Sequence, residues 1–232
     1  MQYEENIFPF DDLQKIYCIN VKENVRRKQF MEQQFNVLKI DPSIIEFVEA
    51  TTPNSEDYIL HNELGNLKYK NKVAQAISLS HKKVWENIIK NDYYAAMVLE
   101  DDTEFNIEYL KSSQNRLLLH SLNEKQYFIH LLTSYPNKIL KLEPEVSNNL
   151  ASVNIKYGMG AYIINSKAAS MLSKEKLFFP VKQPVDDYMW DIKRKLSFRN
   201  QYIFLPFICQ NASQPKTHSF VSKISFNSNF SK

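Results

Sequence analysis

The feature that most constrains this chain is an uninterrupted apolar run, Ala95–Leu99, that ends abruptly in three acids, Glu100-Asp101-Asp102. A strand in which every residue is apolar is typically covered on both faces, as in the centre of an α/β sheet. Three carboxylates at the exit of such a strand repel one another and are costly to bury without partners. Because ligands bind at the carboxyl ends of strands in open α/β sheets, this run predicts a binding site at its end.

The spacing of the three acids indicates what that site binds. Side chains alternate along an extended strand, so Glu100 and Asp102 are expected on one side and Asp101 on the other. Two carboxylates on one side supply the hard oxygen ligands that Mg²⁺ or Mn²⁺ prefers. The alternative is a solvated acidic turn in which Asp102 or Thr103 caps the next helix, and spacing alone does not separate the two.

Further apolar runs of strand type alternate with segments of helical periodicity. The predicted strands are 16–21, 44–48, 95–99, 127–132, 161–164 and 202–205, and the predicted helices are 23–38, 73–90, 166–172 and 186–196. This alternation predicts βαβ units, and therefore an α/β fold with a mainly parallel central sheet flanked by helices. No internal repeat or low-complexity linker is present, so we expect a single domain over 1–232, with 1–12 and 227–232 loose.

Composition excludes several other classes of protein. With three glycines, the chain has neither G-x-x-x-x-G-K-S/T nor G-x-G-x-x-G, which argues against P-loop kinases and dinucleotide-binding enzymes. Cys18 and Cys209 lie in or after apolar runs, which favours buried thiols and a reducing compartment. The chain lacks a signal-peptide pattern and any apolar run of about eighteen residues, so a cytoplasmic protein is expected. The net charge is +3 with a basic second half, but no basic-aromatic RNA-binding motif occurs, so no nucleic acid is expected.

Four stretches, in this order along the chain, resemble glycosyltransferase family 25, the group of lipopolysaccharide and collagen galactosyltransferases. They are 16–21 with Arg26-Arg27, the Leu-Ser-His helix at 78–81 with Trp85, the Leu-Glu-Asp-Asp motif at 98–102, and 157–164 with 184–187. The resemblance implies a GT-A fold, a UDP-sugar donor (typically UDP-galactose), Mn²⁺ dependence and inversion at the anomeric carbon. The chain departs from the family at 72–77, which lacks the Gly and Cys that often precede Leu-Ser-His, so the pocket for the donor sugar is expected to differ.

The resemblance also assigns roles to individual residues. Glu100 and Asp102 are the expected metal ligands, with His218 as a further candidate. The residues expected to contact the UDP-sugar are Asn20, Val21, Arg26, Arg27, Ser80, Asp101 and Gly160. Several have plainer interpretations: the two arginines as an exposed pair, Ser80 as a back-bonded helix residue, and Gly160 as a turn residue with positive φ.

An inverting transferase also needs a base that accepts the proton of the acceptor hydroxyl. Asp187 or Asp186 matches the family's acid and is the expected base, although either could instead cap the helix that follows. His81 lies on the apolar stripe of its helix and is expected to be a satisfied core histidine.

The expected acceptor is a glycan or lipid-linked saccharide, such as lipooligosaccharide. Lys193-Arg194-Lys195 with Arg199 forms a basic patch that could attract the protein to an anionic surface, namely the inner face of a bacterial inner membrane. One alternative function is an inactive glycosyltransferase-like module that binds a nucleotide sugar or glycan. Another, a metal-dependent phosphodiesterase, would need more metal ligands than five dispersed histidines indicate.

Overall fold

A computed structural model describes residues 8–112, 119–122, 127–131, 150–152, 159–195, 201–204 and 208–212. The helices of this part are α1 (Val25–Val37), α2 (Glu56–Glu63), α3 (Lys72–Lys90), α4 (Ile107–Ser112), α5 (Ser166–Leu172), α6 (Glu175–Phe178) and α7 (Val185–Lys195). The strands are β1 (Lys15–Asn20), β2 (Ile45–Glu49), β3 (Ala96–Glu100), β4 (Thr103–Phe105), β5 (Phe128–His130), β6 (Leu150–Ser152), β7 (Ala161–Ile164), β8 (Gln201–Phe204) and β9 (Cys209–Asn211).

Seven of these strands form one sheet in the order β2-β1-β3-β7-β5-β8-β6. The pairs β1–β2, β1–β3 and β5–β8 are parallel, whereas β7 runs antiparallel to both of its neighbours and β6 runs antiparallel to β8. Five of the seven strands therefore point the same way. The predicted α/β class, with a mainly parallel sheet flanked by helices, is confirmed.

The central strand β3 divides the core into two layers, as its all-apolar sequence predicts. Ala95, Met97 and Leu99 pack in the layer that contains the buried residues of α1. Ala96 and Val98 pack in the opposite layer, with α3, α5 and α7. Because side chains alternate, the residues that follow on the strand are directed to opposite faces as well, and this sets the geometry of the acidic cluster.

The structure corrects the prediction of a loose N-terminal extension for residues 8–12. Phe8 and Phe10 are 2% and 3% exposed and pack edge to face with their ring centroids 5.3 Å apart. Asp12 accepts hydrogen bonds from the backbone N–H groups of Leu119 and His120. Burial of two phenylalanines provides a favourable hydrophobic term that the acidic composition of this segment did not indicate.

The structure confirms some of the remaining sequence predictions and adds features that the sequence did not indicate. The thiols of Cys18 and Cys209 are free and buried, as expected. The segment 51–67, for which no helix or strand was predicted, contains α2, and Val25 of α1 and Ile77 of α3 are 55% and 39% exposed. Within the ranges that the structure describes, no helix has the length and apolarity needed to cross a membrane.

Candidate active site

The three acids lie where β3 ends, at the carboxyl edge of the parallel strands. The strand itself ends at Glu100, and Asp101 and Asp102 form the turn to β4. Their side chains are 30%, 9% and 14% exposed in chain order, so this is not a solvated acidic loop. Asp102 and Thr103 cap no helix, because β4 follows directly.

Asp101 is held on the α1 side of the sheet by two donors. Nη1 of Arg27 lies 2.7 Å from its Oδ1, and Nδ2 of Asn20 donates to its Oδ2 over 2.8 Å. Burial alone would lower the pKa of Arg27, but the hydrogen bond and charge of Asp101, with the charges of Asp102 and Glu100, raise it above its ordinary value. Arg27 therefore remains charged. The nearby carboxylate of Asp101 explains why a cation is tolerated in the first turn of α1.

Glu100 is directed to the opposite face, toward α3. Its Oε1 lies 3.4 Å from Nε2 of His81, whose other ring nitrogen lies 3.0 Å from the hydroxyl of Tyr162. The indole N–H of Trp85 donates to that same hydroxyl over 2.8 Å. Trp85 can only donate, so the hydroxyl of Tyr162 accepts from it and can donate its own hydrogen bond to Nδ1 of His81. In that arrangement Nε2 of His81 carries a hydrogen and faces Glu100.

Tyr162 is well suited to this role as a neutral link. Burial raises its pKa well above the ordinary value, the hydrogen bond from Trp85 opposes this, and the charges of Glu100 and Asp186 add to it. The phenol therefore stays protonated throughout the neutral range. His81 is a fully buried core histidine, as expected, but it also links the core to the acidic cluster.

Asp102 departs from the side predicted by strand alternation. Its Oδ2 lies 3.8 Å from Nη1 of Arg27, on the same side as Asp101, because the turn after Glu100 rotates the chain. Its backbone carbonyl accepts a hydrogen bond from the N–H of Ala212, 2.7 Å away. Gln34 of α1 fixes the next residues by donating to the carbonyl of Thr103 and accepting from the N–H of Phe105.

Gly160 adjoins the cluster from β7. Its carbonyl accepts hydrogen bonds from the backbone N–H of Glu100 (2.7 Å) and from the hydroxyl of Thr103 (2.9 Å). Gly160 lies in a turn, as expected, but its φ is not positive, which corrects that part of the interpretation; among the described glycines, Gly65 has a positive φ, of +69°. The hydrogen bond from Glu100 also continues the antiparallel pairing of β3 with β7, which brings the backbone of Gly160 next to the acids.

The other residues expected to contact a UDP-sugar are less closely connected with the cluster. Ser80 is buried, donates to the carbonyl of Ala76 and accepts from the N–H of Thr51, so its hydroxyl links α3 to the segment after β2. Val21 is half-buried in the turn before α1, and Arg26 is exposed. Contact of these three residues with a donor stays a prediction.

The two candidate bases lie in the first turn of α7, as its second and third residues. Neither is therefore the N-cap, since the helix begins at Val185. Carboxylates in a first helical turn interact favourably with the helix dipole. Asp186 acts electrostatically on Tyr162, so this end of α7 lies near the layer that supports Glu100.

The donor set fits a hard divalent cation in part. Glu100 and Asp102 supply carboxylate oxygens, and among the three acids the guanidinium of Arg27 lies within 4 Å of Asp101 and Asp102, so the charge of Glu100 favours an additional cation. Within the described ranges, no group of three or more His, Cys, Asp or Glu residues is placed to hold a metal ion. His218, Gly158 and Arg199 lie outside the described residues, as do the side chains of 193–195.

A comparison with protein-family models decides the family. The model described as glycosyltransferase family 25 (LPS biosynthesis protein) matches residues 13–189, more than half of the chain. This chain belongs to glycosyltransferase family 25. The match covers β1 through the first turns of α7 and thus contains the acidic cluster, His81 and both candidate bases.

Three proteins similar to this chain come from animals. The chain is 26% identical over 199 residues to a glycosyltransferase 25 family member of Drosophila melanogaster, covering 76% of this chain and 30% of that protein. It is 26% identical to procollagen galactosyltransferase 1-A of Xenopus laevis, covering 75% and 32%, and 24% identical to procollagen galactosyltransferase 2 of Homo sapiens, covering 75% and 29%. The chain thus spans about a third of the length of these curated relatives.

Among solved structures, a glycosyltransferase involved in the glycosylation of the major capsid of PBCV-1 superposes with a TM-score of 0.39 and 8% identity. The superposition covers 88% of this chain and 94% of that one.

Sequence reasoning missed Tyr162 as a part of this family 25 site. The residue was seen only as one letter of an apolar strand, and its role depends on contacts with residues 77 and 81 positions away. A tyrosine within an otherwise aliphatic buried strand was the available signal, because a buried phenol needs a hydrogen-bond partner.

Proposed function

We propose that this family 25 chain is an inverting, metal-dependent glycosyltransferase that transfers a hexose, most simply galactose, from a UDP-sugar to a hydroxyl of a glycan acceptor. The observation that carries the proposal is that the three acids of the cluster have different partners. Arg27 and Asn20 hold both oxygens of Asp101, whereas Glu100 and Asp102 flank it with partly exposed carboxylates at the carboxyl edge of the sheet. That edge is where ligands bind in α/β sheets.

In this proposal Glu100 and Asp102 hold Mn²⁺ or Mg²⁺, which supplies Lewis-acid charge at the donor diphosphate when bound. Arg27 adds a permanent positive charge next to the cluster, where a diphosphate would gain most from it. The hydrogen-bonded chain from Trp85 through Tyr162 and His81 orients the carboxylate of Glu100. Fixed second partners of this kind keep a ligating group in one rotamer.

The transfer itself moves one proton and exchanges one bond. The acceptor oxygen attacks the anomeric carbon from the side opposite the diphosphate, and the bond to UDP breaks as the new glycosidic bond forms. UDP leaves with the bonding electrons, and the acceptor proton passes to a carboxylate, for which Asp187 or Asp186 is the candidate. The acidic first turn of α7 gives both candidates a fixed backbone.

The proposal is tested by measuring UDP release from UDP-galactose with Mn²⁺ and a panel of glycan acceptors, with and without EDTA. We expect EDTA to abolish release, and Asp102→Ala to lower the rate by at least about 100-fold because one of two metal ligands is removed. The matched control is Glu63→Gln, an exposed carboxylate on α2, which should leave the rate unchanged.

Two results would contradict the proposal. UDP release that continues in EDTA, or at the normal rate in Asp102→Ala, would remove the metal role of the cluster. Binding of UDP-galactose without UDP release across all donors and acceptors would favour the alternative of a nucleotide-sugar binding module.

A further inference from the structure

A surface pocket of about 320 Å³ lies between α3 and α7, and no role assigned above uses it. Its walls are Ser78 of α3, the segment 176–183, and Tyr188, Asp191 and Ile192 of α7. A volume of this size is at the lower end of the range for small-ligand sites, and it suits one or two sugar rings rather than an extended chain.

The pocket has a fixed frame. Val181 pairs with the segment after α2, because its N–H donates to the carbonyl of Asn66 over 2.7 Å and its own carbonyl accepts from the N–H groups of Lys68 and Tyr69. The ring of His61 stacks on Phe179 with centroids 4.7 Å apart. The wall formed by 176–183 is therefore tied to α2 and the segment that follows it.

The lining combines aromatic rings with hydrogen-bonding groups. Phe178 and Tyr188 pack edge to face at 5.2 Å, and Phe179 is partly exposed. Nε2 of Gln183 donates to Oδ2 of Asp191 over 3.1 Å, and the amide of Gln183 carries one further N–H and an acceptor oxygen. A sugar ring presents both an apolar C–H face and a rim of hydroxyls, so it can use a ring face and an amide–carboxylate pair at once.

The position of the pocket connects it to the reaction. Ser78 lies one turn before His81 on α3, and His81 faces Glu100. On α7, Asp191 follows Asp187 by four residues, so these two side chains share one face of the helix, about 6 Å apart along its axis. On one wall the pocket is thus one helical turn from His81, the partner of Glu100, and on the other wall it is one turn from a candidate base.

We propose that this pocket holds a pyranose ring of the acceptor glycan, with its hydroxyls on the Gln183–Asp191 pair and its apolar face against the exposed part of the Phe179 ring, which also contacts His61 and Lys82. The proposal rests on the proposed function, since an acceptor is defined by the transfer. It also favours Asp187 over Asp186 as the residue that faces the acceptor, because Asp187 shares the helical face of Asp191.

The test is ligand-observed NMR titration of the whole chain with three probes: the methyl β-glycosides of galactose, glucose and N-acetylglucosamine. Phe179→Leu removes the ring face, and Gln183→Ala removes the amide. Each should raise the Kd of the best-bound glycoside about 5- to 10-fold, as expected for one lost aromatic contact or hydrogen bond. Phe179→Tyr retains the ring and is the matched control, expected to stay within about twofold of the native chain.

Each outcome decides the proposal. Unchanged Kd values in both variants would overturn it, as would failure of all three glycosides to bind the native chain. Binding of a short peptide to the native chain, with no glycoside binding, would overturn it in favour of a peptide acceptor. Gln183→Ala provides an independent arm if Phe179→Leu does not fold, which thermal unfolding monitors.

Binding of UDP with Mn²⁺ is measured on the same samples. Loss of glycoside binding in the variants with native UDP binding supports the pocket. Failure of the native chain to bind UDP at all would instead contradict the proposed function, and the glycoside titration would still decide what the pocket binds.

Discussion

On the two faces of the sheet, neighbouring acids of one motif have different hydrogen-bond partners. On the α1 face, Asp101 is held by a guanidinium at 2.7 Å and an amide at 2.8 Å. On the α3 face, Glu100 meets a histidine at 3.4 Å, and that histidine is backed by a neutral phenol and indole. The first arrangement neutralises a carboxylate, whereas the second orients one and leaves its charge in place.

This difference teaches which acid is structural and which is available for a ligand. A charge-assisted pair stabilises the fold, so its loss is measured in unfolding free energy. A carboxylate that keeps its charge at the sheet edge attracts a cation, so its loss is measured in transfer. The predictions below are ordered by the size of the expected effect.

The largest effect is expected from Glu100→Gln. This substitution keeps the shape of the side chain but removes the charge that a metal needs, so transfer should fall by at least about 100-fold. The free energy of unfolding should change by less than about 1 kcal/mol, because the amide of Gln keeps an oxygen that can accept from Nε2 of His81. Steady-state UDP release and urea unfolding measure the two quantities. A normal rate of UDP release in Glu100→Gln would contradict the role of Glu100 as the acid that is available for a ligand.

Asp101→Ala should act mainly on stability. It leaves Arg27, whose side chain is 30% exposed, without its closest partner, and we expect a loss of about 2 kcal/mol after allowance for that exposure. The double variant Asp101→Ala/Arg27→Met should lose less than the sum of its single changes, since the uncompensated charge is gone. Additive losses in urea unfolding would show that the pair is not coupled.

Tyr162→Phe tests the hydrogen bonds that connect Trp85, Tyr162 and His81 on the α3 face. At pH 8 it should cost about 1–2 kcal/mol in urea unfolding, because the buried indole N–H of Trp85 loses its acceptor. Phe128, which stacks on Tyr162 with centroids 4.7 Å apart, keeps its ring contact in this variant. A loss below about 0.5 kcal/mol would indicate that the hydroxyl contributes little.

The same tyrosine gives a pH dependence with a definite sign. Its pKa is raised in the folded state, so below the unfolded pKa of about 10 both states hold the proton and the full contribution is present. Above it the unfolded chain releases a proton that the folded chain keeps, so the free energy of unfolding falls as pH rises. The fall between about pH 9 and 11 should be shallower in Tyr162→Phe, and an equal slope would contradict this.

The last prediction changes no residue and therefore stands outside this order; it concerns Cys18, which pairs with Leu99 on the Asp101 face. Burial raises the pKa of this thiol, and the charges of Asp101, Asp102 and Glu32 add to the shift. Because the thiolate is the reactive form, native Cys18 should react with a disulfide reagent at least about 100-fold more slowly than in urea. Rapid labelling of the native chain would show that this face opens readily.

Much of this organisation followed from local patterns. The all-apolar run 95–99 is sufficient to predict a central strand, because only a strand covered on both faces tolerates such a sequence. Its alternation also correctly separated Glu100 from Asp101, since that separation depends on the strand alone. The alternation of helical and strand segments is also visible in the sequence, and it predicted the α/β class.

What tertiary structure decided concerns contacts between residues distant in sequence. Asp102 turns to the side of Asp101 because the chain leaves the strand at Glu100, where the period of two no longer holds. Tyr162 meets His81 across 81 positions, and Phe8 and Phe10 become core only because the sheet and α1 lie beneath them. Such partners depend on how the layers pack, and no local periodicity encodes that packing.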